Sequence, residues 1–171
     1  MPENVEIKAT ARDFQKQHLL VQQLSGSAGE TLFQKDVFFH VPKGRLKLRF
    51  VAEDHGELIS YERRDLAGPR ASVYHVLQTK APESLRTVLA SVLGVRGTVV
   101  KKRTLYWIGQ TRVHLDEVEG LGRFIELEVV LQPGQTNAEG EEVAGELMKR
   151  LQIGKEDLIA QSYIDLLENR G

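Results

Sequence analysis

Polar and apolar residues alternate with period two along much of this chain, the signature of strands with one charged and one apolar face. Residues 4 to 10, NVEIKAT, set Val5, Ile7 and Ala9 against Asn4, Glu6, Lys8 and Thr10. In RLKLRF, residues 45 to 50, Leu46, Leu48 and Phe50 oppose Arg45, Lys47 and Arg49. Residues 97 to 109 carry Lys101 and Arg103 on one face. Residues 111 to 131 read as a hairpin around Gly120 and Gly122. Its first arm gathers Arg112, His114 and Asp116, its second Glu126 and Glu128, and Val113, Leu115, Ile125, Leu127, Val129 and Leu131 face the other way. Further strands are expected over 30–41, over 57–65, where Ile59, Tyr61 and Arg63 share a face, and over 71–80. The period changes to helical in a few places. A helix is expected within 11–26, with Asp13 as N-cap and Phe14, Val21 and Leu24 as its apolar stripe. Another spans 82–94, opened by Pro82 and ended by Gly94, and a third runs from a Thr136–Glu139 capping box to about Leu151. The tail, 155–170, predicts one or two short helices. With no linker or repeat, one α+β domain over 1–171 is expected: an antiparallel β-barrel of about eight strands with helices packed outside.

Solvated faces of antiparallel sheets usually mix hydroxyls, amides and charges. Here the polar faces are nearly all charged, with cations on the middle strands and acids on the first and last. In a closed sheet that face becomes a lumen, expected to repel itself when empty and to suit a polyanion. Arginine would contact phosphate oxygens in pairs and lysine would act as a point charge. The carboxylates would hold a hard divalent cation such as Mg²⁺, which bridges protein carboxylate and phosphate. A one-residue slip of register would bring Lys102 or Arg64 inward instead of Lys101 or Arg63. Ser72 and Tyr74 are further lumen candidates, and Trp107 has inward parity near the strand end. A net charge of -1 gives no global attraction to nucleic acid or to an anionic membrane. The absence of cysteine excludes disulfides, thiolate metal sites and cysteine catalysis. No apolar run approaches a membrane span and the start lacks a secretory pattern, so a cytoplasmic location is expected. The five histidines show no ligand spacing, His114 is expected to play a structural hydrogen-bonding role, and no P-loop or dinucleotide fingerprint occurs.

Four segments, in order over nearly the whole chain, resemble the CYTH or triphosphate tunnel metalloenzyme superfamily. That group contains class IV adenylyl cyclases, thiamine triphosphatases and inorganic triphosphatases. Asn4-Val5-Glu6-Ile7-Lys8 stands against its Glu-x-Glu-x-Lys, followed by GRLKLR at 44–49, RVHLDEVEGLGRFIELE at 112–128 and SYIDLL at 162–167. The resemblance implies a Mg²⁺- or Mn²⁺-dependent enzyme hydrolysing the terminal phosphoanhydride of an inorganic or organic triphosphate. The alternatives are cyclic AMP synthesis from ATP and non-catalytic binding of polyphosphate or nucleotide. It implies Glu6, Glu126 and Glu128 as metal ligands, with Asp116 a further ligand or an acid behind them. Lys8, Lys47, Arg49, Arg63, Lys101, Arg103 and Arg112 would grip phosphates, with Arg45 on the same face nearer its strand end. Glu126, Glu128 and Lys8 are the catalytic candidates. The partner expected is a small-molecule triphosphate or nucleotide, bound by a monomer or homodimer, with no nucleic acid or membrane. One residue departs from the pattern: Asn4 occupies the first glutamate's place, where it offers a carbonyl oxygen but no charge.

Overall fold

A computed structural model describes residues 3–62 and 68–170; Arg63 and Arg64 lie outside these described residues. The strands are β1 (Glu3–Thr10), β2 (Glu30–Phe39), β3 (Arg45–Ala52), β4 (His55–Glu62), β5 (Arg70–Thr79), β6 (Val95–Ile108), β7 (Thr111–Val118) and β8 (Gly122–Val130). They form a closed antiparallel barrel in the order β1-β5-β4-β3-β2-β6-β7-β8. The helices are α1 (Phe14–Ser25), α2 (Pro82–Leu93), α3 (Asn137–Arg150) and α4 (Tyr163–Glu168). The expected barrel is therefore present, although β6 starts two residues earlier than the alternation suggests. A register shift between Phe38 and Phe39 marks its pairing with β2.

The alternation decides which way each strand faces. Val5, Ile7, Val113, Leu115, Ile125, Leu127 and Val129 point outward and are fully or almost fully buried. They pack with Val21 of α1 and with Ala144, Leu147 and Leu151 on and just after α3. Each such side chain contributes roughly 1.5–3 kcal/mol relative to exposure. Gly140 lets α3 lie hard against β1, since a Cβ there would meet Val5 Cγ2 at 2.8 Å and Leu131 Cδ2 at 2.6 Å. α2 covers Val37, Phe39 and Leu48 with Leu85, Leu89 and Leu93. The helix caps form as the sequence implies: Asp13 accepts from Lys16 N–H, and Thr136 and Glu139 make a reciprocal capping box. Helical cover is incomplete, because Phe33 on β2 and Val100 on β6 remain 73% and 40% exposed on the outer face.

One end of the barrel is stopped by the tail. Tyr163 and Ile164 of α4 pack with Phe38, Val99, Val118 and Phe124. α4 is capped by Ser162 and tied to the barrel by Asp165, which accepts from Arg45 at 2.9 Å and from Arg96 at 2.7 Å. Among the described residues no helix is long and apolar enough to cross a membrane.

Candidate functional site

The inward face encloses a tunnel of about 300 Å³. Lys8, Lys47, Arg49, Lys101, Arg103 and Arg112 line it, together with Glu6, Asp36, Glu57, Glu126 and Glu128. Barrel order places β2 diametrically opposite β1, and β3 opposite β8. Charges carried by these strands therefore face each other across the lumen.

The acidic pole is built by register on β1, β7 and β8. Glu6 stands directly opposite Glu128, and Lys8 opposite Glu126. On the other flank of β8, Arg112 stands opposite Glu128 and His114 opposite Glu126. Donor atoms of His114, Glu126 and Glu128 lie within 4.8 Å of one another. Burial raises the Glu128 pKa; Arg112, which forms an ion pair with it, pulls the other way, while Glu6 and Glu126 push it further up. Burial and neighbouring Arg103 push the His114 pKa down to about 3, so its imidazole is neutral. Two buried acceptor-capable atoms beside these acids, Asn4 Oδ1 and His114 Nδ1, make no hydrogen bond. Crowded carboxylates and buried lone pairs of this kind fit a hard divalent cation, which draws its ligands mainly from oxygen.

The basic pole lies across the lumen, and its centre is a residue that sequence reasoning missed. Asp36, on β2 and 1% exposed, accepts from Arg49 Nε at 2.8 Å and Nη2 at 2.9 Å. Lys101 Nζ lies 3.0 Å and Lys47 Nζ 3.3 Å from the same carboxylate. Burial alone would raise the Asp36 pKa, but Arg49, Lys101 and Lys47 hold it well below the ordinary carboxylate value. The expectation of a self-repelling lumen is thus corrected: the cations stand among carboxylates that neutralise much of their charge. β2 hid this acid because both its faces carry apolar residues, so ETLFQKDVFF shows no charged stripe.

Other expected residues are sorted by the fold. Register confirms Lys101 inward, with Lys102 outside, paired to Glu117 and half exposed. Asp116 is joined to the acidic group through Arg103, whose Nη2 also lies 3.6 Å from Glu126. Its two oxygens accept from Arg103 Nε and Nη2 at 2.8 and 2.7 Å, and the Tyr163 hydroxyl donates to it at 2.7 Å. Arg45 is drawn to Asp165 at the stopped end, away from the tunnel lining. Lys8 Nζ sits 3.7 Å from the Tyr163 ring centroid and 4.0 Å from Glu126. Tyr163 is another residue that periodicity could not reveal, since a tail helix brings it to the tunnel floor. Tyr61 and Tyr74 face the lumen, whereas the Ser72 side chain lies outside what the structure describes. Trp107 is half exposed at the rim, its ring centroid 5.5 Å from the Arg112 guanidinium.

Comparison with known proteins gives one consistent set of likenesses. The family model described as the CYTH domain matches residues 2–163. A Methanocaldococcus jannaschii protein, provisionally named an adenylate cyclase, is 26% identical over 95% of this chain and 97% of its own. A Pyrococcus horikoshii structure superposes with TM-score 0.85 at 23% identity, covering 95% of this chain and 98% of that one. A Hippeastrum protein, described as a provisional adenylyl cyclase with a dominant triphosphatase activity, superposes with TM-score 0.65 at 16% identity over 99% of this chain and 96% of its own. At these identities the two structures establish the fold alone.

Proposed function

Because the chain belongs to the CYTH domain family, we propose that it hydrolyses a triphosphate in a reaction dependent on Mg²⁺ or Mn²⁺. One observation carries this reading: a carboxylate pole and a cationic pole face each other across a single tunnel, as a metal–polyphosphate complex requires. Glu6, Glu126 and Glu128 would hold the ion, with Asn4 Oδ1 and His114 Nδ1 within the same polar group. The bound ion supplies Lewis-acid polarisation of phosphoryl oxygens. Lys47, Arg49 and Lys101 would bind oxygens on the opposite wall, and Lys8 and Arg103 those between the poles. Attack by water on the terminal phosphorus forms one P–O bond and breaks the bridging P–O bond. Orthophosphate leaves, and the shortened chain keeps the bridging oxygen. The water's proton needs an acceptor near the acidic pole. Glu126 or Glu128 would orient the water and receive that proton.

A second reading has an observation of its own. Gln34 lines the tunnel, is 9% exposed and has a buried Oε1 without a hydrogen bond; Leu32 is two residues before it on the same face, and Leu105 lies further along the same lumen. A polar reader beside an apolar wall is what an adenine ring needs, which favours ATP as substrate and leaves cyclic AMP formation as the alternative reaction. The test is incubation with inorganic triphosphate, thiamine triphosphate and ATP in Mg²⁺ or Mn²⁺, with all products identified. Orthophosphate released fastest from inorganic triphosphate is expected. Cyclic AMP and pyrophosphate from ATP, with inorganic triphosphate surviving, would replace hydrolysis by cyclisation. Binding without release would make the protein a receptor.

A further inference from the structure

We infer that Asp36 is the positioning residue of the basic pole: it ties Arg49, Lys101 and Lys47, from two different strands, into one charged wall aimed at a polyphosphate ligand. The inference rests on the triphosphate reading for its ligand, but not for its geometry. Asp36 stands directly opposite Arg49 in the β2–β3 ladder, so the two backbones already bring the fork together. Lys101 enters from β6, opposite Gln34, two residues before Asp36 on β2. All three cations reach one carboxylate within 3.3 Å.

Buried charges are ordinarily paired, and here the chain supplies the anion that its own cations surround. The arrangement limits how the wall can meet a substrate. Arg49 spends Nε and Nη2 on Asp36, which fixes the guanidinium plane and leaves its remaining donors for a phosphate. Lys101 is almost fully buried, and burial brings its pKa down to about 7 even with Asp36 opposing the fall. The other groups facing it are Arg49 and Lys47 from β3, Arg103 from its own strand, and the Tyr163 ring at 5.9 Å from α4. Asp116 and Glu126 lie beyond it, engaged with Arg103. Of this set, Asp36 alone among the carboxylates is within 3.0 Å of Lys101 Nζ and so favours its charged form. Lys47 and Arg49 both oppose that charge, so removing Asp36 leaves three like charges facing one another.

The experiment is a titration of Lys101 Nζ by lysine-selective NMR without ligand, alongside calorimetry of metal-free inorganic triphosphate binding from pH 6 to 9. The proteins are wild type, Asp36→Asn and Arg49→Gln. In Asp36→Asn the Lys101 midpoint should fall by about one pH unit or more, and the loss of triphosphate affinity at rising pH should move with it. Arg49→Gln keeps the carboxylate and removes a like charge, so it should raise the midpoint; it keeps the proposal testable if Asp36→Asn does not fold. Unmoved Lys101 midpoints in the folded variants would overturn the role of Asp36. Shifted midpoints without triphosphate binding at any pH would support that role and defeat the triphosphate reading instead.

Discussion

Asp116 gives both its carboxylate oxygens to Arg103, accepting from Nε at 2.8 Å and Nη2 at 2.7 Å. The fork engages both oxygens of the acid, and the Tyr163 hydroxyl donates a third hydrogen bond to it. Through these contacts Asp116 fixes Arg103 and the tail. Asp116→Asn is expected to lower stability by about 3–5 kcal/mol, because it leaves a buried guanidinium without its counter-charge. Chemical denaturation checks this, and divalent affinity measured on the folded fraction should stay near wild type. A large loss of metal affinity with unchanged stability would make Asp116 a ligand.

The same pair gives a pH dependence. Burial pushes the Asp116 pKa up, but Arg103 more than offsets this and holds it below its ordinary value near 3.8. A carboxyl whose folded pKa is depressed adds stability that is present above the unfolded value. That stability is lost as pH falls through the folded value. Acid unfolding below about pH 4 should therefore be steeper in wild type than in Asp116→Asn, as followed by circular dichroism.

Replacing both Glu126 and Glu128 by Gln should reduce metal-dependent turnover by at least ~10²-fold. The two changes leave Glu6 as the remaining carboxylate of the acidic pole while keeping its shape. Steady-state rates with saturating Mg²⁺ and Mn²⁺ test this, and unchanged rates would move the metal elsewhere.

Asn4→Glu restores a charge where Asn4 Oδ1 is buried without a hydrogen bond. It should tighten Mn²⁺ binding by roughly tenfold, because divalent affinity follows the number of ligand charges. Calorimetric titration with Mn²⁺ alone measures it. Weaker binding would show that the acidic pole is already crowded to its limit.

Trp107 is the sole tryptophan of the chain and sits against Arg112, whose guanidinium is paired with Glu128. Any ligand that recruits Arg112 or Glu128 must disturb that stack. Intrinsic fluorescence should change on adding inorganic triphosphate or Mn²⁺, and Arg112→Gln should abolish most of the response. A signal identical in that variant would detach the rim from the site.

How much of this was legible depended on whether a strand had one charged face. β1, β3, β7 and β8 did, so Glu6, Lys8, Lys47, Arg49, Arg112, Glu126 and Glu128 could be placed inward from period two alone. β2 shows apolar residues on both faces, Phe38 inside and Val37 and Phe39 outside, which concealed Asp36. Parity also could not say how far along the lumen a residue sits. Arg45 has the right face, yet its strand end delivers it to Asp165. Tyr163 depends on where a tail folds back, a non-local fact that carries no periodic signal.

Closure of the barrel has a consequence for association. Among the described residues the sheet closes on itself, which leaves little unpaired strand edge for a second chain to extend by strand addition. The described pairing of β1 with β5 runs only from Glu3 to Glu6, whereas β8 pairs with β1 from Asn4 to Thr10. Beyond Glu6 the tail takes over the β1 edge, where Ala9 bridges Leu158 and Ile159 N–H donates to Lys8 O at 2.9 Å, so the short β1–β5 seam is the stretch that carries Asn4 and Glu6. An ion held by those side chains would act as a clasp on the seam, making resistance to aggregation on heating a property of the loaded protein.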